Sequence, residues 1–229
     1  MGRSIHACCA VFLLLLVPGL AFAAFGPRIS QVYGGGGATG APTYSQDYVE
    51  LTNAYATYDI DIGGFALESA APGGNWGATP ADVFVFPAGT VLHACSYLLV
   101  AMTPGSAVGT MPLPTPDYVG TASLDAVSGR VDLFSQVNAN VPCGSEAGLI
   151  DKLSYGGASC PEVTAIGALS IVSGAVRKNE GNMDTDNNAH DFVIVTAPAP
   201  RNSASPLSAY CLSTPTSAGT WGRLKTFYR

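Results

Sequence analysis

The sequence predicts an all-β fold, an antiparallel β-sandwich. Three observations lead there. Short runs that alternate apolar and polar residues, or are rich in β-branched and aromatic ones, recur along the chain. Gly73-Gly74, Pro87-Ala88-Gly89, Pro104-Gly105 and Gly156-Gly157 punctuate them as turns. No stretch sustains the 3.6-residue apolar period of a helix, and Ala165–Ser173 has room for one turn at most. Strands without crossover helices pack as an antiparallel sandwich.

The strands are expected in order as follows. Arg28–Tyr33 and Asp47–Asn53 open the fold and flank a loop made almost entirely of Gly, Ala, Pro, Thr and Ser. Within that loop Gly34–Gly37 lacks the lysine and following helix of a phosphate-binding loop, so it is expected to be a mobile surface loop using positive φ. Ile60–Glu68 follows, interrupted by Gly63-Gly64, which marks either a bulge or a close backbone approach. Val83–Phe86, Ser96–Met102, Tyr118–Leu124, Arg130–Ser135 and Leu149–Tyr155 continue the series. Ile171–Lys178 carries the same ambiguity at Gly174, and Phe192–Thr196 ends the set. Pro112, Pro114 and Pro116 make an extended surface connector.

Organisation follows from composition. Arg3, the apolar run Ala10–Val17, the break at Pro18-Gly19 and the small-x-small Ala21-Phe22-Ala23 form a signal peptide over residues 1–23, with a mature start at Ala24. The apolar run is too short to span a bilayer, and no second long one follows, so no transmembrane segment is expected after cleavage. Residues 24–210 form one domain. Residues 211–229 make a Ser/Thr/Pro linker and an aromatic, basic tag, Trp221–Arg229. The tag places Trp221, Leu224 and Phe227 or Tyr228 at helical spacing beside Arg223, Lys225 and Arg229, which suits a sorting signal or an interfacial anchor, with a frayed terminus as the alternative.

The formal charge is −6, and cleavage removes one of the 10 basic residues and none of the 16 acidic ones, giving −7. An acidic surface poor in charge excludes nucleic acid as a partner, since phosphates require clustered Lys and Arg. Of six cysteines, Cys8 and Cys9 leave with the signal. Cys95, Cys143, Cys160 and Cys211 remain, an even number in an oxidising compartment. Three pairings exist. We favour Cys143–Cys160, which flank the run Leu149–Tyr155, and therefore Cys95–Cys211. Zinc is disfavoured because no CxxC occurs.

Several motifs in order carry a family resemblance: ISQVYGGGGATGAP from Ile29, QDYVELTN from Gln46 and DIDIGGFALE from Asp59. Leu149–Tyr155 with Gly156 and Cys160, Val176–Asn179, Asp184–Phe192 and Ala199–Ala204 complete it. The pattern resembles bacterial exported lamin tail domain proteins and spans most of Ile29–Pro206. The resemblance implies an immunoglobulin-like sandwich in an exported bacterial protein, a non-catalytic module with an anchoring or binding role. Where that family often has a cysteine before the DTDNN stretch, this chain has Met183.

Asp184, Asp186, Asn187, Asn188 and Asp191 are the densest set of hard oxygen ligands and a candidate calcium site, with a chain of Asx-turns as the alternative. The EF-hand is excluded, because its glycine and distal glutamate are absent. His190-Asp191 invites a hydrolase reading, but no G-x-S-x-G elbow accompanies it. Tyr33, Tyr44, Tyr48 and Tyr55 are expected to pack on a sheet face, with a glycan-stacking surface as the alternative. Arg177 is expected to pair with a carboxylate such as Glu50. The resulting expectation is a non-enzymatic, exported, disulfide-bearing module that meets a protein or glycan at the cell surface or in the extracellular space. The alternative is a calcium-dependent binder of glycans or cell-wall material.

Overall fold

The glycines, prolines and short apolar runs do break the chain into many short strands. The computed structural model describes residues 26–102 and 108–213. The expected signal peptide, the Pro104-Gly105 turn and the tag Trp221–Arg229 lie outside the described residues. Twelve strands are present among the described residues. They are β1 (Pro27–Tyr33), β2 (Tyr48–Asn53), β3 (Ile60–Asp61), β4 (Ala66–Ala70), β5 (Val83–Val85) and β6 (Val91–Leu92). Then come β7 (Tyr97–Ala101), β8 (Tyr118–Val119), β9 (Gly129–Phe134), β10 (Leu149–Tyr155), β11 (Ser173–Arg177) and β12 (Phe192–Thr196). Two short helices, α1 (Asn188–Asp191) and α2 (Ala209–Ser213), complete the set. The second runs across the boundary expected at residue 210.

The strands form a six-stranded sheet, β12-β11-β1-β2-β7-β8, a four-stranded sheet, β10-β9-β4-β5, and the pair β3-β6. Every pairing is antiparallel except β7 with β8. The all-β sandwich expectation therefore holds, with one parallel edge pair. Between the two larger sheets lies one apolar core. Ile29, Val32, Val49, Leu51 and Val100 contribute from the first sheet, and Leu67, Val131, Leu133 and Leu153 from the second.

Local departures from the expected strands have physical causes. The run Ile60–Glu68 is two strands, because Gly63-Gly64 turns a corner between sheets. Phe65 N–H donates to Ile62 C=O at 3.0 Å, and Gly64 has φ +85°. Only Tyr118 and Val119 of the run Tyr118–Leu124 pair, since Leu124 N–H is drawn instead to Asp47. Gly174 marks a close approach and not a bulge: β11 pairs with β12 without a shift, and a Cβ there would lie 2.7 Å from Val32 C=O.

The bulge lies in β1. Its register against β2 slips between Ile29 and Gln31. Without the slip, Ile29 and Gln31 would share a face. With it, Ile29 and Val32 both enter the core, while Gln31 and Tyr33 face outward with Glu50 and Tyr48.

That outer face is also covered. Tyr33, Tyr44, Tyr48 and Leu99 form a second buried cluster. The three tyrosine rings lie 5.5–5.7 Å apart in edge and stacked contacts. Tyr44 OH donates to Pro198 C=O at 2.6 Å and Tyr33 OH to Ile171 C=O at 2.6 Å. These three rings pack and are not available for glycan stacking. The glycine loop beside them is also not the mobile surface loop expected. Gly34 and Gly35 are buried, and a Cβ on Gly35 would lie 2.7 Å from the Ile171 backbone. Close packing requires glycine there; within Gly34–Gly37 positive φ appears only at the exposed Gly37, +74°, and Gly40 beyond it has +111°.

Candidate functional site

The bulge in β1 creates a demand at Ile29 that two side chains meet. Ile29 N–H donates to Asp151 at 2.7 Å, and its C=O accepts from Arg177 Nε at 2.8 Å. Asp151 comes from β10 in the opposite sheet. Arg177 comes from β11 and holds Asp151 through Nη2 at 2.6 and 2.7 Å. Both side chains are buried, and the guanidinium stacks 4.3 Å from the Phe192 ring. This ion pair therefore bridges the two sheets at the bulge. It replaces the Arg177–Glu50 pair expected from sequence. Glu50 faces outward, where Arg201 Nη2 (2.7 Å), Ser30 Oγ (2.5 Å) and Gln31 Nε2 (3.0 Å) bond it.

The loop before α1 closes over the same arginine. Asp184 lies 3.1 Å from Arg28 Nε and 3.5 Å from Arg177 Nη1. Asp191 is 3.8 Å from Arg177 Nη1 and accepts from Thr185 N–H (2.8 Å), Thr185 Oγ1 (2.7 Å) and Asn187 N–H (3.3 Å). Burial pushes the Asp191 carboxyl up, but those hydrogen bonds and Arg177 outweigh it, so it sits below the usual range.

Asn188 turns away toward the other sheet. Its Oδ1 accepts from Ser154 N–H at 2.9 Å and its Nδ2 donates to Lys152 C=O at 2.8 Å, so the amide imitates a strand at the β10 edge. Its Nδ2 also reaches Glu162 at 2.9 Å.

In this arrangement the side chains of the candidate calcium ligands point to different partners. Asp184 and Asp191 face guanidinium groups, Asn188 faces β10, and Asp186 lies exposed with φ +54°. The carboxylates of Asp184, Asp186 and Asp191 do not come within 4.8 Å of one another as a set of three. The positive charge a cation would supply is already supplied by Arg28 and Arg177. Among the described residues, one such set of three exists, Cys143, Glu146 and Cys160. Its sulfurs are joined to each other, which leaves Glu146 alone.

His190 does not complete a catalytic relay. Thr185 Oγ1 (3.1 Å) and Asp191 Oδ1 (3.5 Å) both approach the same ring nitrogen, Nδ1. A relay needs the nucleophile and the acid on opposite nitrogens.

A second polar cluster escaped sequence reading. Trp76 is buried over the outer face of the four-stranded sheet, with Arg130 stacked 4.1 Å from its ring. Beneath it Asp132 sits between Glu68 and Lys152 across the strands. Burial pushes the Asp132 carboxyl well up, against the pull of Lys152 and the Trp76 indole. Beside this cluster is a cavity of about 270 Å³ lined by Ser69, Asn75, Asp82, Asp125, Arg130 and Tyr155, among others. Its lining has no histidine, cysteine or lysine. The signal available in sequence was charged residues within apolar strands, GRVDLF and LIDKLSY, which needs a covered second face to explain it.

The cysteines pair at disulfide distance, Cys95 with Cys211 (Cα–Cα 5.6 Å) and Cys143 with Cys160 (5.9 Å). No helix of the described residues is long and apolar enough to cross a membrane.

No protein-family model and no curated protein matches this chain. Among solved structures, a DUF4876 family protein from Bacteroides thetaiotaomicron is similar in fold, with a TM-score of 0.51 at 15% identity. The match covers 81% of this chain and 75% of that one. At that identity it shows a shared β-rich architecture and nothing of function.

Proposed function

We propose that this protein is a non-catalytic, exported sandwich module that meets a protein or a glycan at the cell surface or in the extracellular space. The observation that carries this reading is where its ionisable side chains go. Arg28, Arg177, Asp151, Asp184 and Asp191 bind one another and the backbone, and so hold sheets and loops together. The disulfides support an oxidising compartment. The ordered motifs from Ile29 to Pro206 resemble lamin tail domains, and that resemblance implies an anchoring or binding role.

Calcium separates this reading from its alternative. A thermal melt of the oxidised protein is expected to give the same midpoint in excess calcium and in chelator. A clear rise with calcium would restore a calcium-dependent binder built on Asp184–Asp191. Hydrolysis of a glycan or ester that is lost in His190→Ala would overturn the non-catalytic reading itself.

A further inference from the structure

Among the described residues, each strand edge of the two larger sheets is protected except one. β8 is two residues long and follows the Pro112–Pro116 connector. β5 is three residues long, between Pro80 and Pro87. The β10 edge is occupied by the Asn188 amide and by Ile166, whose N–H donates to Ser154 C=O at 3.1 Å. β12, Phe-Val-Ile-Val-Thr, is different. It is five residues long, unbulged against β11, and contains no proline and no charge. Those are the devices that ordinarily stop an edge from pairing. Val193 and Ile194 are 41% and 44% exposed. Ile194 shares its face with core residue Ala175, so an inward-facing isoleucine is left half open at the sheet's end.

We infer that β12 is the interface of a homodimer, in which a second copy of this chain adds its own β12 antiparallel across a two-fold axis at Ile194. Two observations select a second copy as the occupant. The strand is nearly symmetric about Ile194, so self-pairing places Val193 opposite the copy's Val195 and Ile194 opposite Ile194, an isologous contact using all five residues. The charged groups beside the outer face of β12, Lys178, Glu180 and Arg201, are of mixed sign, so they do not set like charges against a second copy. The chain carries −6 overall, yet Phe192–Pro200 and Val163–Val176 contain no charged side chain. This inference does not rest on the proposed function, since the edge pairs whatever else the module binds. The contact is small, so the dimer is expected to depend on concentration.

The test is sedimentation velocity of the mature, oxidised protein from about 1 to about 100 µM, a range suited to small interfaces. A monomer–dimer equilibrium is expected. Val193→Lys and Ile194→Lys, each placing like charges across the axis, should weaken it by about tenfold or more. Melts and near-UV circular dichroism check folding. Should Ile194→Lys fail to fold, Val193→Lys on the outer face carries the test. Independently, Ile194→Cys should yield a covalent dimer on air oxidation, because residues opposite each other in an antiparallel pair have Cβ atoms about 5 Å apart. Val119→Cys, on the far edge of the same sheet, should not. A monomer at every concentration, an assembly indifferent to lysine at 193 and 194, open-ended oligomers, or equal cross-linking at 119 would each overturn the inference.

Discussion

Arg177 was legible in the sequence as a paired cation, but its partner was not. Glu50 and Asp151 are both carboxylates on strands, and only the packing of one sheet on the other brings Asp151 to the β1 bulge. The pair is buried and satisfies Ile29 as well, so removing one member leaves a charge stranded. Arg177→Met is expected to destabilise by about 3–5 kcal/mol in urea unfolding. Adding Asp151→Leu should recover part of that loss, because the second change removes the stranded carboxylate. A loss that the double variant only deepens would argue against this account.

Glu162 gives a pH dependence at the same scale. Burial, followed by the nearby Asp151 charge, pushes its carboxyl up to about 8. Between the ordinary carboxylate range and that value the folded state keeps a proton that the unfolded chain has released. Stability therefore falls as pH rises through this window. Glu162→Gln keeps an acceptor for Asn188 and removes the titration. It should flatten the decline and melt higher than the parent at pH 8. Parallel melting curves for the two proteins across pH 5–8 would contradict this.

Among elements, ten strand positions were readable because alternation and turn residues are local signals. β6 was not, since two residues cannot display a period. The Ile60–Glu68 run was read as one strand because a glycine corner and a glycine bulge look alike until the partner strands are known. The Gly34–Gly37 loop illustrates the same limit. Its glycines suggested mobility, whereas Gly34 and Gly35 are walled in by Asp125 and Ile171. Gly35→Ala should therefore cost about 1–3 kcal/mol through overpacking, measured by denaturant unfolding. A neutral substitution would restore the mobile-loop reading. The Asp184–Asp191 segment was legible as an oxygen-rich loop. Its use was not, because Arg28 and Arg177 reach it from strands distant in sequence.

At the scale of the molecule, the disulfides close loops of very different length. Cys95–Cys211 spans 116 residues and ties α2 to the segment before β7, whereas Cys143–Cys160 spans 17. In the chain-entropy account the longer closure contributes about 4–5 kcal/mol and the shorter about 3. Replacing both members of the first pair by serine should thus lower the denaturation midpoint more than replacing both of the second. The reverse order would mean that native-state contacts, not loop length, govern these bonds.

The sequence by itself determined the all-β class, most strand positions and a cysteine set suited to an oxidising compartment. Alternation, turn chemistry and cysteine count act locally or by arithmetic. Only the tertiary structure decided which charges meet, which glycines are crowded and which edge is left open. Those depend on register and on sheet facing sheet: a one-residue slip at Ser30 reassigns the faces of β1 and creates the backbone demand that Arg177 and Asp151 answer.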